Sequence, residues 1–181
     1  MAKGFKSLET IIQSYADRAH QLSLKTAKAG ILEGEYEDGT KVAYVAAIHE
    51  YGSPERKIPP RSYFRPAISE HQKEWADSLH DGVKAVVSGN MEAELVLDAV
   101  GAVAAADIKE HLSKTVTPPL SPITVMLRGM KGNDADLVVT GKTVGEAAKR
   151  VADGKTNYGA SDKPLQDTYT LFDSINHSVD E

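Results

Sequence analysis

At 181 residues the chain is long enough for one domain with its own hydrophobic core, and its net charge of −5 disfavours nonspecific binding to DNA or to a membrane surface, both of which demand a dense positive field. It has no cysteine, which excludes disulfides and thiolate metal sites and suits a reducing cytoplasm, and with one Trp and three Phe the core must be built mostly from Ala, Val, Leu and Ile. The charged N-terminal segment lacks the apolar run of a signal peptide, and the most apolar window, "ELVLDAVGAVAAADI", is interrupted by Asp98 and falls short of the roughly 20 residues that span a bilayer, so a soluble, unexported protein is expected.

From Ser7 to about Lys28, Leu8, Ile11, Ile12, Tyr15, Ala19 and Leu22 fall on one helical face, with Glu9, Asp17, Arg18 and Lys25 off it. After Gly30 the period becomes two. Leu32, Gly34 and Tyr36 alternate with Glu33, Glu35 and Glu37, the spacing of a strand with an acidic face. Asp38-Gly39 is a favoured hairpin turn, so the first half of "KVAYVAAIHEYG" is expected to pair as the return strand. Its second half reads as a short helix stopped by Gly52.

The next stretch, "HEYGSPERKIPPRSYFRPA" from His49 to Ala67, holds half of the eight prolines together with Arg56, Lys57, Arg61 and Arg65. Pro59 and Pro60 fix φ and remove amide donors, which predicts an extended Pro/Arg arm over 53–65. Pro66 suits the first turn of a helix running to about Val87. Asn90 can cap the following helix, over about 91–112, whose first turn holds Glu92 and Glu94. That helix is apolar nearly all round, so it is expected either at the centre of the core or partly against another subunit. Ser121 and Pro122 then open a short helix ending near Gly129, followed by a loop over 129–142. Thr143 and Glu146 have capping-box spacing ahead of a helix that Gly154 stops. A loop over 155–164 leads to a turn and a last strand in "PLQDTYTLFDSINHSV".

Several chemical motifs are incomplete. "TGKT" has Asp136 where a phosphate loop needs glycine. His49-Glu50 is half of a zinc-hydrolase motif, but Ser53 stands where the second histidine belongs. His71, Glu74 and His80 read as solvent-facing residues of a helix. "NDADL" lacks the glycine and terminal Glu of a calcium loop, and no nucleophile elbow is present. No catalytic, cofactor-binding or metal residue is therefore expected, and the protein reads as a non-enzyme. Arg56, Lys57, Arg61, Tyr63, Phe64 and Arg65 have the composition of a binding element. Nucleic acid is one possible partner, by stacking and phosphate pairing. Protein contact suits a net acidic chain better, with rigid prolines lowering the ordering cost of binding.

The segment "VAAIHEYGSPERKIPPRSYFRPAI" resembles a family of tailed double-stranded DNA bacteriophage proteins, the neck, head-tail joining and tail-completion proteins. In these an Ala-rich turn and "HE-aromatic-G" precede "IP-x-R-x-x-x-R", matched here by His49, Glu50, Tyr51, Gly52, Ile58, Pro59, Arg61 and Arg65. "AGILEGEYEDG" fits the preceding hairpin, and "KPLQDTYTLFDSI" is similar to the close of related virion morphogenesis proteins, with Tyr169 where Gly is usual. These segments cover roughly a third of the chain.

The resemblance implies an α+β fold in a single domain over 1–181, with a small curved antiparallel sheet packed against several helices and the Pro-rich arm extended from it. It implies a homo-oligomeric ring in the virion neck, assembled in the host cytoplasm. Its partners would be portal- or connector-side neck proteins and the tail tube or tail terminator, with DNA only as passing cargo, no membrane and no cofactor. On that basis the arm residues are expected to contact a neighbouring subunit or layer, and Gly52, Pro59 and Pro60 to shape the turn. Glu33, Glu35, Glu37 and Asp38 are candidates for the channel lining, where negative charge would repel DNA phosphates. The alternative is a nucleic-acid-binding packaging accessory.

Overall fold

The computed structural model describes residues 7–155, 159–165 and 169–181. Among these residues the chain runs α1 (Leu8–Ser23), β1 (Thr26–Ile31), α2 (Val42–Tyr51), α3 (Phe64–Val87), α4 (Ala93–Lys114), α5 (Pro122–Asn133), α6 (Gly141–Ala152), α7 (Thr170–Asp173) and β2 (Ile175–Asp180). It is an α+β fold. The two strands pair antiparallel, with Thr26 opposite Asp180 and Ile31 opposite Ile175. No helix among the described residues is long and apolar enough to cross a membrane.

α4, expected to be apolar nearly all round, covers the core with one face and leaves Leu95 and Val103 exposed on the other. α4 packs against α3 and against both strands, burying Val96, Leu97, Ala104, Ala105, Ile108 and Leu112 along its length. Its small residues set the spacing: a Cβ on Gly101 would lie 3.2 Å from the ring and Cβ of His177 on β2. The main core joins Ala105, Ile108 and Leu112 to Val42, Ala46, Tyr63, Ala67, Leu171 and Ile175. A smaller cluster of Val86, Ala93 and Val96 collects Leu22 from α1 and Leu79 from α3. α5 and α6 pack on each other around Met126, Met130 and Ala147.

Several local expectations give way to tertiary pairing. The first helix stops at Ser23 because Thr26–Ile31 gains a full antiparallel ladder with β2, which continued helix could not supply. Residues 32–41 do not form the predicted acidic strand. They make a tight turn in which the Gly39 N–H donates to the Tyr36 carbonyl and a lone bridge joins Glu35 to Lys41. The return strand is absent for a packing reason: Val42 and Ala46, one helical turn apart, are both buried, so the segment is helical from Val42 onward. The loop expected over 129–142 is shorter. Gly129 is helical and buried, and α5 continues to Asn133 because Met126 and Met130 share the face that meets α6. α6 is capped one turn earlier than expected, by Thr140. Its hydroxyl accepts from the Thr143 N–H and the Thr143 hydroxyl accepts from the Thr140 N–H, while Glu146 pairs with Arg150 instead.

Other expectations hold. α3 carries Pro66 in its first turn, Ser121 caps α5 with Pro122 beside it, and Gly154 follows α6 at φ 78°. The final strand is β2, and Leu171 and Ile175 bury against the core ahead of and within it. Tyr169, at the position where the resembling proteins carry Gly, adopts φ 58°, a left-handed conformation that costs a non-glycine residue about 1 kcal/mol. Of the loop over 155–164, residues 156–158 lie outside the described residues.

Candidate assembly site at the α2–α3 junction

α2 ends where Gly52 turns the chain. Its φ of 75° and ψ of 178° belong to backbone space open essentially to glycine alone, and its N–H closes the helix on the Ile48 carbonyl. A Cβ there would lie 2.9 Å from the Ile58 carbonyl oxygen and 3.0 Å from the Pro60 nitrogen. Gly52→Ala is expected to lower stability by about 2 kcal/mol or more, since both conformation and backbone contact oppose it. A thermal melt of the variant checks this; an unchanged midpoint would show that the turn relaxes freely.

Beyond Gly52 the chain does not extend outward. Ser53 and Ile58 bridge, closing a turn with exposed Arg56 and Lys57 at its tip, and the Arg61 N–H then donates to the His49 carbonyl at 2.6 Å. Pro59 and Pro60 carry the chain back along the end of α2. The segment 53–65, expected as an extended Pro/Arg arm, is thus folded back on the end of α2.

Glu50 organises this junction. It is 4% exposed, and its carboxylate meets the first turn of α3, where helical N–H groups lack partners. The N–H groups of Tyr63, Phe64 and Arg65 donate to it at 3.0, 3.1 and 3.2 Å, the Ser62 hydroxyl donates to Oε1, and the Arg65 Nε reaches Oε1 at 2.8 Å. A residue of α2 therefore caps α3, with its charge at the positive end of the helix dipole. Burial alone would raise the carboxyl pKa, but the hydrogen bonds from Ser62, Arg65, Tyr63 and Phe64 outweigh it and bring it down to about 2.

Arg61 points the other way. It is 7% exposed, and its Nε and Nη2 donate to the carbonyls of Pro118 and Pro119 at 2.7 and 3.0 Å. It ties the junction to the segment after α4. Beside it His49 is held neutral: burial first, then the charges of Arg61 and Arg128, lower its pKa to about 4. Tyr63 is fully buried, and burial and the Glu50 charge push its phenol pKa up.

The six residues expected to meet a partner therefore divide. Arg61 and Tyr63 are buried within the chain's own fold, Arg61 against the backbone carbonyls of Pro118 and Pro119 and Tyr63 in the main core. Phe64 is half-buried with its ring 4.9 Å from that of Tyr63. Arg56, Lys57 and Arg65 face solvent. Tyr51, absent from the expected set, joins them: it is 70% exposed, with the Arg65 guanidinium 5.1 Å from its ring centroid. Its place in the "HE-aromatic-G" tetrad was the available signal. Tyr51 and Arg65 border an open groove of about 310 Å³ whose apolar walls come from Ile31, Ala43, Ala47 and Ile68. Glu33, Glu35, Glu37 and Asp38 are exposed on the turn after β1, with Glu35 paired to Lys41 and Asp38 accepting from the Thr40 N–H at 2.9 Å.

No protein-family model, curated protein or solved structure matches the chain.

Proposed function

We propose that the chain is a non-enzymatic virion assembly protein, a ring subunit of the neck or tail-completion interface that joins the DNA-filled head of a tailed phage to its tail. The observation that carries this reading is the interdependence of the signature residues: Glu50, Gly52, Arg61 and Arg65 come from a short stretch, and each has a separate task in one rigid junction. Together these residues hold one shaped surface in place. Here that surface is Tyr51 and Arg65 beside the apolar groove, flanked by the cationic tip of Arg56 and Lys57. Subunits of a ring meet head to tail, so a projecting element must find a different, complementary patch on its neighbour. The acidic turn of Glu33, Glu35, Glu37 and Asp38 has the sign to receive the basic tip, or to line a channel through which DNA passes. The alternative of a nucleic-acid-binding accessory is weakened because Arg61 and Tyr63, needed for pairing and stacking, are enclosed.

Reversing the tip with Arg56→Glu and Lys57→Glu together is expected to leave the melting temperature within about 2 °C of wild type, since both residues are exposed and bear no core. It should abolish the joining of heads to tails in a complementation assay. Normal joining by the reversed protein would overturn the reading.

A further inference from the structure

His71 does not face solvent, as the sequence suggested, but meets α4. Its side chain is 18% exposed and its ring stacks near Trp75 and stands edge-on to the ring of His111, with centroids 6.2 and 5.6 Å apart. Glu70, beside it on α3, places Oε2 3.2 Å from His111 Nε2 and Oε1 3.9 Å from His71 Nε2. One donor atom from each of the three residues lies within 4.8 Å of the others.

We propose that His71, His111 and Glu70 form a site for a first-row divalent transition cation of the zinc type, clamping the start of α3 to the end of α4. Tetrahedral zinc with ligands at about 2.0–2.1 Å holds neighbouring donors a little over 3 Å apart; the two oxygens of Glu70 lie 3.2 and 3.9 Å from the two histidine nitrogens, and donors all within 4.8 Å of one another reach that spacing by side-chain rotation. Glu70 has that freedom, being 66% exposed, and the two rings, each 18% exposed, stand edge-on beside it. The surrounding carboxylates favour the required orientation. Glu74 Oε2 lies 3.2 Å from His71 Nδ1, and a proton shared there leaves the Nε2 lone pair turned to the site, the arrangement by which an outer carboxylate fixes a metal-bound histidine. Asp107, 4.0 Å from the same nitrogen, accepts from the Trp75 indole at 2.6 Å and steadies the aromatic wall. Two imidazoles with one carboxylate select zinc, nickel or cobalt over calcium or magnesium, which take oxygen ligands. A water completes the coordination on the exposed side. The site is independent of the assembly surface and stands or falls without it.

The test uses tag-free, chelator-treated full-length protein titrated with zinc chloride by calorimetry, with cobalt chloride as a spectroscopic probe. One equivalent of zinc should bind with micromolar or tighter affinity, weakened at least about tenfold by His71→Gln and by His111→Gln, and unchanged by His80→Gln on the same helix. Saturating zinc should raise the melting temperature of the wild type by about 5 °C and leave that of the doubly substituted protein unmoved. Ring resonances of His71 and His111 should shift in the wild type on zinc addition, a readout that needs no variant to fold. Absence of saturable one-to-one binding, or binding that persists in both histidine variants, or shifts confined to other histidines, would overturn the site.

Discussion

Glu50→Ala is expected to destabilise the fold by about 2–4 kcal/mol, because a buried carboxylate that accepts several backbone and side-chain hydrogen bonds is lost, one of them charge-assisted from the solvent-exposed Arg65. The loss has two parts: Arg65 is left without its carboxylate, and the N–H groups of Tyr63, Phe64 and Arg65 lose their acceptor at a buried helix start. Glu50→Gln retains one acceptor oxygen and should recover only part. The effect also has a pH signature. With its folded pKa depressed to about 2 against an ordinary 4.5, the carboxyl contributes fully above about pH 4.5 and loses that contribution as pH falls towards 2. A shift of this size corresponds to about 3 kcal/mol. His49 acts at higher pH in the same direction. Its folded pKa of about 4 lies below the ordinary 6.5, so the unfolded chain takes up a proton first as pH drops through 6.5. Wild-type stability should therefore decline from about pH 6.5 and again below 4.5. In Glu50→Gln the second decline should be reduced, as followed by urea denaturation at a series of pH values. Equal acid sensitivity in the two proteins would show that Glu50 is not the responsible group.

The second large effect is expected at Arg61. Arg61→Ala should cost about 2–4 kcal/mol, because two carbonyls in a partly enclosed site lose charge-assisted donors. Arg61→Lys should restore less than half of this, since one ammonium cannot reproduce the fork that reaches Pro118 and Pro119 together. Limited proteolysis localises the consequence. Cleavage between Lys114 and Ser121 should rise in the alanine variant before global unfolding, because Arg61 holds that segment against the junction. Wild-type protease resistance in Arg61→Ala would mean that the segment is held by something else.

What the sequence revealed and what it hid have physical reasons. Long helices declared themselves through apolar spacing and end signals, as with Pro66 in the first turn of α3 and Gly52 after α2. β1 was hidden because Thr26–Ile31, with two Ala, one Lys and one Gly among its six residues, has little strand character of its own and becomes a strand by pairing with residues 175–180. The alternation around Glu33, Glu35 and Glu37 had strand spacing but found no long partner, so only a turn resulted. The junction was legible as a motif but not in its geometry. Arginine and tyrosine between prolines look like exposed anchors until the carbonyls of Pro118 and Pro119, far along the chain, are seen to receive Arg61. The histidine cluster was illegible for the same reason: His111 follows His71 by forty residues and meets it only because α3 and α4 pack side by side.

The pairing of β1 with β2 joins residues 26–31 to residues 175–180. During translation the first strand must wait, its edge bare, until nearly every later helix has emerged, and contacts of such long sequence separation form slowly. A product cut short before residue 175 would keep an unpaired strand edge and lack Ile175 from its core, and should be more open to proteolysis than the 181-residue chain.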